Sequence, residues 1–329
     1  MTGSGGIDHE IILHRGVKGE FNMGRLVTRS DFDGLACAMM LTELGKIDEI
    51  KFVHPKDVQD GKVELCETDI TTNLPFDPRV GLAFDHHESE IDRLKATATG
   101  GKLIIDPQAK SAARVVYNYF GGKEAFPRIS DELMAAVDKG DSADFTVDEI
   151  LYPEGWCLLH FIMDARTGLG RFHDFRISNY DLMMELIHAG LELNIDEILA
   201  LPDVEERTKL YFEQEKLFKE QLERIVRVDG KVAVIDLRNE EVIYAGNRFM
   251  VYAMYPEAEI SVHVAWGFRK QNTAVMIGKS IINKNSKADI GELCLQYGGG
   301  GHANAGTCQL ENDTVDAQLP DIIAALNEG

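Results

Sequence analysis

The first half of the chain alternates short apolar runs with longer segments in which apolar residues recur at helical spacing. The runs have the length of buried strands, and the segments between them have the length of helices. This alternation is typical of a largely parallel α/β sheet flanked by helices, whose ligands bind at the carboxyl ends of the strands. Strands are predicted at 24–29, 49–54, 63–69, 80–85 and 102–106, and helices at 34–46, 109–120 and 130–139.

The second half begins with helical patterns and returns to strands near its middle. Residues 151–200 read as helical around a loop at 166–179, and apolar residues of 203–226 fall on one helix face. The later pattern predicts a smaller α/β domain. Its strands are predicted at 231–236, 259–267, 273–278 and 306–311, and its helices at 288–296 and 319–327.

Two domains joined by a helix account for these patterns. The predicted parts are a first domain at 24–202, a connecting helix at 203–227 and a second domain at 228–329. A length of 329 residues fits two domains of ordinary size, and 44% apolar residues supply a core for each.

The formal net charge of -21 would repel a long nucleic-acid duplex. A small phosphorylated substrate remains compatible with this charge if bound metal cations reverse its sign locally. The apolar run from Leu35 to Leu41 is too short to cross a bilayer, and the first ten residues show no secretory signal. Five cysteines without C-x-x-C spacing argue against a disulfide framework, so a cytoplasmic protein without a membrane partner is predicted.

Carboxylates and imidazoles follow several of the predicted strands. Brought together at one edge of a parallel sheet, the carboxylates would repel one another, and metal ions relieve such repulsion. Oxygen ligands with one imidazole suit manganese or magnesium better than zinc or copper. The residues concerned are Asp31, Asp33, Asp69, Asp85, His86, His87 and, at the end of a predicted helix, Asp138.

Each of these residues also has an ordinary structural explanation. Asp33 precedes Gly34 and could be a helix cap. Asp69 is followed by ITTNLP and could be a turn residue. The order of the groups along the chain, each at a predicted strand end, favours a metal site over these explanations taken singly.

Five segments together resemble the successive motifs of the DHH phosphoesterases. They are SDFDG, DITTNLP, FDHHES, AAVDKGD and YGGGGHANAG, and the resemblance runs from about Gly24 to the end of the chain. The family includes RecJ-type nucleases, oligoribonuclease and pAp phosphatase enzymes, cyclic-dinucleotide phosphodiesterases and family II inorganic pyrophosphatases. The resemblance implies a metal-dependent phosphoesterase with a DHH-associated C-terminal domain.

The resemblance also implies a role for each motif residue. Asp31 and Asp33 would each bind one of two ions, manganese or alternatively magnesium, and Asp69 would bridge the two. His86 and Asp138 would complete the site of the second ion.

The remaining motif residues would act around these ions. Asp85 would orient an imidazole, as metal-bound histidines usually require. His87 would face the substrate phosphate, and Asp141 is the alternative to Asp138 because DKGD offers two carboxylates.

The chain departs from the family pattern next to its first aspartate. Val27 and Arg29 occupy the positions where relatives carry a histidine. Three alternatives follow for the first metal site. Another group supplies the missing metal ligand, the first ion binds weakly, or Arg29 contributes positive charge there as a phosphate clamp. A structural ion pair is the simpler interpretation of Arg29.

A glycine cluster precedes His302 in the second domain. Consecutive glycines let a backbone approach a ligand closely and turn its N–H groups toward an anion. The alternative is a flexible loop with an incidental histidine. The substrate-binding residues that the resemblance implies are Gly299, Gly300, Gly301, His302 and Ser280.

Two further arginines and several histidines are open to more than one interpretation. Arg166 and Arg171 either line the cleft between the domains or belong to a plain surface loop. His160 and the other histidines outside the motifs are interpreted as structural.

The leading functional hypothesis is hydrolysis of a phosphoester in a small nucleotide: a short oligonucleotide, pAp, or a linear or cyclic dinucleotide. An exopolyphosphatase or pyrophosphatase is the second hypothesis. A nucleotide sensor that has lost catalysis is the third, because the first metal site lacks a histidine. The sequence leaves the oligomeric state open, with a homodimer as one alternative.

Overall fold

The chain folds into two compact units. The structure is a computed structural model that describes residues 24–87 and 102–329. The first ten residues and the end of the FDHHES motif therefore lie outside the described residues. The predicted division at 202 and 228 falls inside the second unit and stays a prediction. The first unit holds residues 24–29 and 37–130, and the second holds residues 30–36 and 131–329.

A five-stranded parallel sheet forms the first unit. Its strand order is β2-β1-β3-β4-β5, and every neighbouring pair is parallel. Strands β3 and β4 are buried throughout, which explains their continuous apolar character. The predicted parallel α/β sheet is therefore confirmed. The strands are β1 Gly24–Thr28, β2 Ile47–Phe52, β3 Ile70–Thr72, β4 Leu82–Asp85 and β5 Lys102–Ile105.

Two of the connections between these strands contain helices. Helix α1, Phe32–Glu43, lies between β1 and β2, and α2, Pro55–Gln59, lies between β2 and β3. Helix α3, Ala112–Phe120, follows β5. Helix α3 begins at Ser111, whose hydroxyl accepts the backbone N–H of Arg114 at 3.0 Å.

The strand predicted at 63–69 is wrong. The strand in this part of the chain is β3, which begins one residue after the predicted strand ends. Val63 and Leu65 gave the alternation of a half-buried strand, but they pack in a small apolar cluster with Val58 instead. Their burial therefore comes from side-chain packing and not from strand pairing.

Nine helices occur in the described part of the second unit. The long predicted helix is confirmed as α9, and the predicted loop at 166–179 contains two short 3-10 turns. None of the helices in the described ranges is both long and apolar enough to cross a bilayer. The helices are α4 Asp131–Asp141, α5 Val147–Leu151, α6 Gly155–Met163, α7 Asn179–Glu192, α8 Ile195–Leu199, α9 Pro202–Ile225, α10 Met250–Met254, α11 Ile290–Gln296 and α12 Val315–Glu328.

A six-stranded mixed sheet completes the second unit. Its order is β10-β11-β9-β8-β7-β6, and β7 with β8 is the parallel pair among antiparallel neighbours. This confirms the C-terminal α/β region. Strand β10 lies where the sequence predicted only a glycine loop. The strands are β6 Val226–Asp229, β7 Val232–Asp236, β8 Ile260–Trp266, β9 Thr273–Lys279, β10 Gly300–His302 and β11 Ala305–Leu310.

Alternating apolar residues hold this sheet against its helices. Ile260, Val262 and Val264 of β8 are fully buried, and they pack in one cluster with Ile290 of α11 and Ile322 of α12. Burial of each such side chain contributes roughly 1.5–3 kcal/mol to stability.

Candidate active site

The carboxyl ends of β1, β3 and β4 lie side by side at one edge of the first sheet. The hydroxyl of Thr72 donates a hydrogen bond to the hydroxyl of Thr28 at 2.7 Å, and the Thr28 hydroxyl donates to the Thr72 carbonyl at 3.1 Å. These buried contacts join the ends of β1 and β3. Residues that follow the three strands therefore meet at this edge, where parallel sheets bind their ligands.

Asp85 organises the two histidines that follow β4. Its Oδ1 atom accepts two hydrogen bonds, one from the backbone N–H of His86 at 2.8 Å and one from Nδ1 of His87 at 2.7 Å. The ligand atoms of these three residues lie within 4.8 Å of one another. Asp85 is buried and His87 is exposed, so one fixed carboxylate orients an imidazole that reaches solvent.

His86 presents one ring nitrogen to a backbone carbonyl. Its Nδ1 atom lies 3.3 Å from the carbonyl oxygen of Ala109. A carbonyl accepts but cannot donate, so this contact places the proton on Nδ1 and leaves the Nε2 lone pair available as a metal ligand.

Asp69 lies at the other end of the sheet. It precedes β3, and its carboxylate accepts hydrogen bonds from Arg25 at 3.0 and 2.8 Å and from the backbone N–H of Cys66 at 2.8 Å. These contacts hold the carboxylate near the start of β1. This position does not support the bridging metal role expected for Asp69.

Asn73 is the residue that follows β3 at the carboxyl edge. Its backbone N–H donates to the carbonyl of Phe84 at 3.1 Å, which fixes it beside β4. The side chain is 2% exposed. Sequence reasoning missed Asn73 because the expected strand end was placed at Asp69; the signal was the ITT run directly before it.

The first turn of α1 carries two carboxylates of the second unit. Asp31, and not Asp33, caps this helix, because its Oδ1 atom accepts the N–H of Gly34 at 2.9 Å. Asp33 is 3% exposed and lies in the first turn.

Helix α4 brings a third carboxylate to this group. The ligand oxygens of Asp33 and Asp141 lie within 4.8 Å of each other. Asp138 is one turn earlier on α4, so it shares a helix face with Asp141. The geometry therefore favours Asp141, the alternative to Asp138, as the partner of Asp33.

Two arginines flank a buried carboxylate in the second unit. Asp164 accepts the Nε–H of Arg166 at 2.8 Å, and Arg248 Nε lies 3.7 Å from its other oxygen. Burial opposes ionisation of Asp164, but the charge and hydrogen bonds of Arg166 outweigh it and lower the pKa of Asp164.

One of these arginines, Arg166, is electrostatically coupled to the acidic group. Burial acts to lower the pKa of Arg166, but Asp164 and the nearby carboxylates of Asp31 and Asp141 raise it overall. Burial, followed by the charge of Arg166, lowers the pKa of Arg248 to about 10. The sequence offered no signal for Arg248, because it belongs to no recognised motif.

Arg29 follows β1 at the carboxyl edge and is half-buried. Its position is compatible with the phosphate clamp and with the ion pair, so the clamp stays a prediction.

The glycine segment forms a β-hairpin. A Cβ atom on Gly299 would lie 2.1 Å from the carbonyl oxygen of Thr307, and one on Gly301 would lie 2.3 Å from that of Ala305. These two glycines therefore permit close strand contact. Gly300 faces open space and leaves room for a ligand.

The two polar residues predicted to bind substrate differ in exposure. His302 is exposed, and its Nδ1 atom accepts the backbone N–H of Asn304 at 3.3 Å. Ser280 is 4% exposed, and its hydroxyl accepts the N–H groups of Ile282 and Asn283 at 3.1 and 2.9 Å. These bonds give Ser280 a turn-forming role, and its substrate contact stays a prediction.

An α/β fold with carboxylates and imidazoles at the strand ends defines a hydrolase of the phosphoesterase class. No family model and no curated protein matches the chain. Among solved structures, a pGpG-specific phosphodiesterase, PggH of Vibrio cholerae, is 53% identical, covers 93% of this chain and 99% of its own, and has a TM-score of 0.82. RecJ of Thermus thermophilus in complex with Mn²⁺ is 13% identical, covers 92% of this chain and 51% of its own, and has a TM-score of 0.42.

The chain belongs to the DHH family of phosphoesterases. It is a hydrolase that acts on a phosphoester bond of a small nucleotide, as the sequence predicted.

Proposed function

We propose that this protein hydrolyses pGpG, a linear dinucleotide, to two molecules of GMP with the help of bound manganese. The observation that carries the proposal is the 53% identity over 93% of the chain to a pGpG-specific phosphodiesterase. Magnesium is the alternative ion. A cytoplasmic location is part of the same proposal, because that is where free cysteines such as the five of this chain are stable.

The donors at the site suit such an ion. Asp31, Asp33 and one or both of Asp138 and Asp141 are proposed as metal ligands from the second unit, and His86 is proposed as a metal ligand from the first. The hydrogen bond of His86 Nδ1 to Ala109, which leaves Nε2 available as a ligand, supports this assignment. A bound divalent cation would lower the pKa of a water molecule and stabilise charge on the phosphoryl oxygens.

Side chains of the protein are proposed to contact the phosphate and the leaving oxygen of the substrate. His87, oriented by Asp85 and exposed, is placed to donate a proton or a hydrogen bond to the phosphate or to the leaving oxygen. Arg29 is proposed to contact the phosphate as a fixed cation.

Arg166 and Arg248 are proposed to bind the second phosphate group of the substrate. One carboxylate, Asp164, lies between two guanidinium groups, so the three side chains retain a net positive charge. Gly300 and His302, which face solvent, are proposed to contact the guanosine half of the substrate.

A substrate screen tests the proposal. Metal-free protein is supplied with Mn²⁺ or Mg²⁺ and offered pGpG, pAp, the cyclic dinucleotide of the same bases and polyphosphate, with products separated by chromatography. We expect GMP from pGpG at a rate well above that for the other three, and no turnover by Asp33→Asn. Faster release of phosphate from polyphosphate or pAp would contradict the assignment, and no turnover of any substrate would favour a sensor.

A further inference from the structure

We propose that the side-chain oxygen of Asn73 is a ligand of the divalent cation at the carboxyl edge of the first sheet. This inference rests on the proposed metal-dependent function and extends it to a residue of the DITTNLP motif to which the sequence analysis assigned no role. The ligand would be neutral, at a strand end where the sequence led us to expect the carboxylate of Asp69.

Position is the first argument. In the sheet order β1-β3-β4, Asn73 follows the middle strand, between the end of β1 and the Asp85–His86 pair that follows β4. Its backbone N–H is bonded to Phe84, the residue directly before Asp85. Asn73 therefore lies beside the end of the strand that leads to His86, the histidine proposed to bind the cation.

The unsatisfied amide is the second argument. The Asn73 side chain is 2% exposed, and neither its Oδ1 nor its Nδ2 atom has a hydrogen-bond partner among the residues that the structure describes. A buried polar group without a partner costs about 1–3 kcal/mol, and native proteins rarely leave one in this state. A cation bound to Oδ1 would provide the missing partner, since amide oxygens are ordinary ligands for hard divalent ions.

The backbone supplies a third argument. Asn73 has a φ of 54°, in the left-handed region that most residues avoid. Asn and Asp adopt this region more readily than other non-glycine residues. Residues in such conformations cluster at ligand-binding and catalytic sites, where the surrounding structure holds them in place.

Asp69 does not compete for this role. Its carboxylate is bound by Arg25 and by the N–H of Cys66 near the start of β1, while Asn73 lies past the end of β3. A neutral ligand in place of a carboxylate leaves the site with one negative charge fewer. We therefore expect weaker cation binding than a carboxylate at position 73 would give.

Two substitutions at position 73 test the inference, because glycine and aspartate both tolerate a positive φ. Mn²⁺ binding to metal-free full-length protein is measured by titration calorimetry. Asn73→Gly should weaken binding by at least about tenfold, the loss expected when a group at a metal site is removed. Asn73→Asp should tighten it, and the control Asp69→Asn should stay within about twofold.

The inference would be overturned if folded Asn73→Gly bound Mn²⁺ with unchanged affinity. It would also be overturned if Asp69→Asn lost Mn²⁺ binding while Asn73→Gly kept it. Turnover of pGpG by the wild-type protein is measured in parallel. If Mn²⁺ binding depends on Asn73 but pGpG is not hydrolysed, the proposed substrate is wrong and the ligand assignment stands. If pGpG is hydrolysed and Asn73→Gly binds Mn²⁺ normally, the ligand assignment alone is wrong.

Discussion

Arg25 binds the carboxylate of Asp69 with two hydrogen bonds, Nε to Oδ1 at 3.0 Å and Nη2 to Oδ2 at 2.8 Å. The Asp69 side chain is 1% exposed, and the Arg25 side chain is 22% exposed. The hydrogen bonds that Arg25 donates to Asp69 raise the pKa of Arg25, although burial acts in the opposite direction. The pair is therefore a partly buried ion pair that joins the start of β1 to the segment before β3.

The two single substitutions in this pair should differ in cost. Arg25→Ala leaves a buried carboxylate without its cation, which should cost about 3–5 kcal/mol of stability. Asp69→Asn leaves an arginine that still donates to the carbonyl of Glu64 at 2.9 Å, so the loss should be about 1–3 kcal/mol. Urea unfolding of the metal-free proteins measures both losses. A larger loss for Asp69→Asn would show that Asp69 has a role beyond this pair.

The contrast between Asp69 and Asn73 shows where sequence patterns stop being informative. The apolar runs of β1 and β4 are buried on both faces, so their ends, and with them Asp31 and Asp85, could be located from the sequence. The segment 63–69 has the same alternation, yet its apolar residues pack in a side cluster without strand partners. Only tertiary packing distinguishes these cases, and the error moved the expected ligand from one end of β3 to the other.

Residues distant along the chain escape pattern analysis for a second reason. Arg248 lies about 80 residues beyond Asp164, and their approach depends on how α6, α10 and the segments around them pack. Single residues without a repeating spacing leave no periodic signal. The glycine segment was predicted to approach a ligand, but two of its glycines serve strand contacts that depend on the hairpin register.

Asp85→Asn should reduce the turnover number more than the affinity for substrate. The substitution removes the negative charge that lies against His87 Nδ1 and replaces a carboxylate that holds the ring with a weaker amide acceptor. We expect kcat for pGpG to fall about 10–100-fold, the range found for groups that orient a metal-site histidine. Steady-state kinetics at saturating Mn²⁺ measures kcat and KM, with circular dichroism as the folding control. A kcat within about twofold of wild type would remove Asp85 from the mechanism.

Arg248→Met should raise KM with little effect on stability. The Nε atom of Arg248 has no hydrogen-bond partner among the described residues, and Asp164, 3.7 Å away, keeps the two hydrogen bonds that it accepts from Arg166, so we expect the loss of stability to be small. A charged hydrogen bond to a substrate phosphate is worth about 1.5–3 kcal/mol, which corresponds to a KM increase of roughly 10–150-fold. Arg171→Met is the matched control, because Arg171 bonds only to the carbonyl of Gly168 among the contacts described for its side chain. Equal KM changes in both variants would argue against a specific phosphate contact.

Gly299→Ala and Gly300→Ala should separate the structural and ligand-facing glycines. A Cβ at position 299 would collide with the carbonyl oxygen of Thr307, and overpacking of this kind costs about 1–3 kcal/mol. A Cβ at position 300 meets nothing within 4 Å. We expect a lower melting temperature for Gly299→Ala, and a wild-type melting temperature with a raised KM for Gly300→Ala. A wild-type KM for Gly300→Ala would mean that this part of β10 does not meet the substrate.

His160 should make the stability of the protein depend on pH. The imidazole is 8% exposed, and within residues 24–87 and 102–329 neither ring nitrogen has a hydrogen-bond partner. Burial lowers the pKa of His160 to about 4, and the charges of Arg166 and Arg248 act in the same direction against the carboxylate of Asp164. In the unfolded chain the pKa of histidine is about 6.5.

The sign of the effect follows from these two pKa values. Above pH 6.5 the imidazole is neutral in both states, and its contribution to stability does not change with pH. As the pH falls from 6.5 toward 4, the unfolded chain takes up a proton that the folded protein does not, so stability decreases. The full difference between 6.5 and about 4 corresponds to about 3 kcal/mol.

Replacing His160 with leucine should reduce this pH dependence. Between about pH 7 and about pH 4.5, the free energy of unfolding of His160→Leu should fall by about 2–3 kcal/mol less than that of the wild-type protein. Urea unfolding with a chelator present measures this without a contribution from metal release, and the exposed His188→Leu on α7 is the control. The same pH dependence in His160→Leu as in wild type would show that His160 is solvated or hydrogen-bonded in solution.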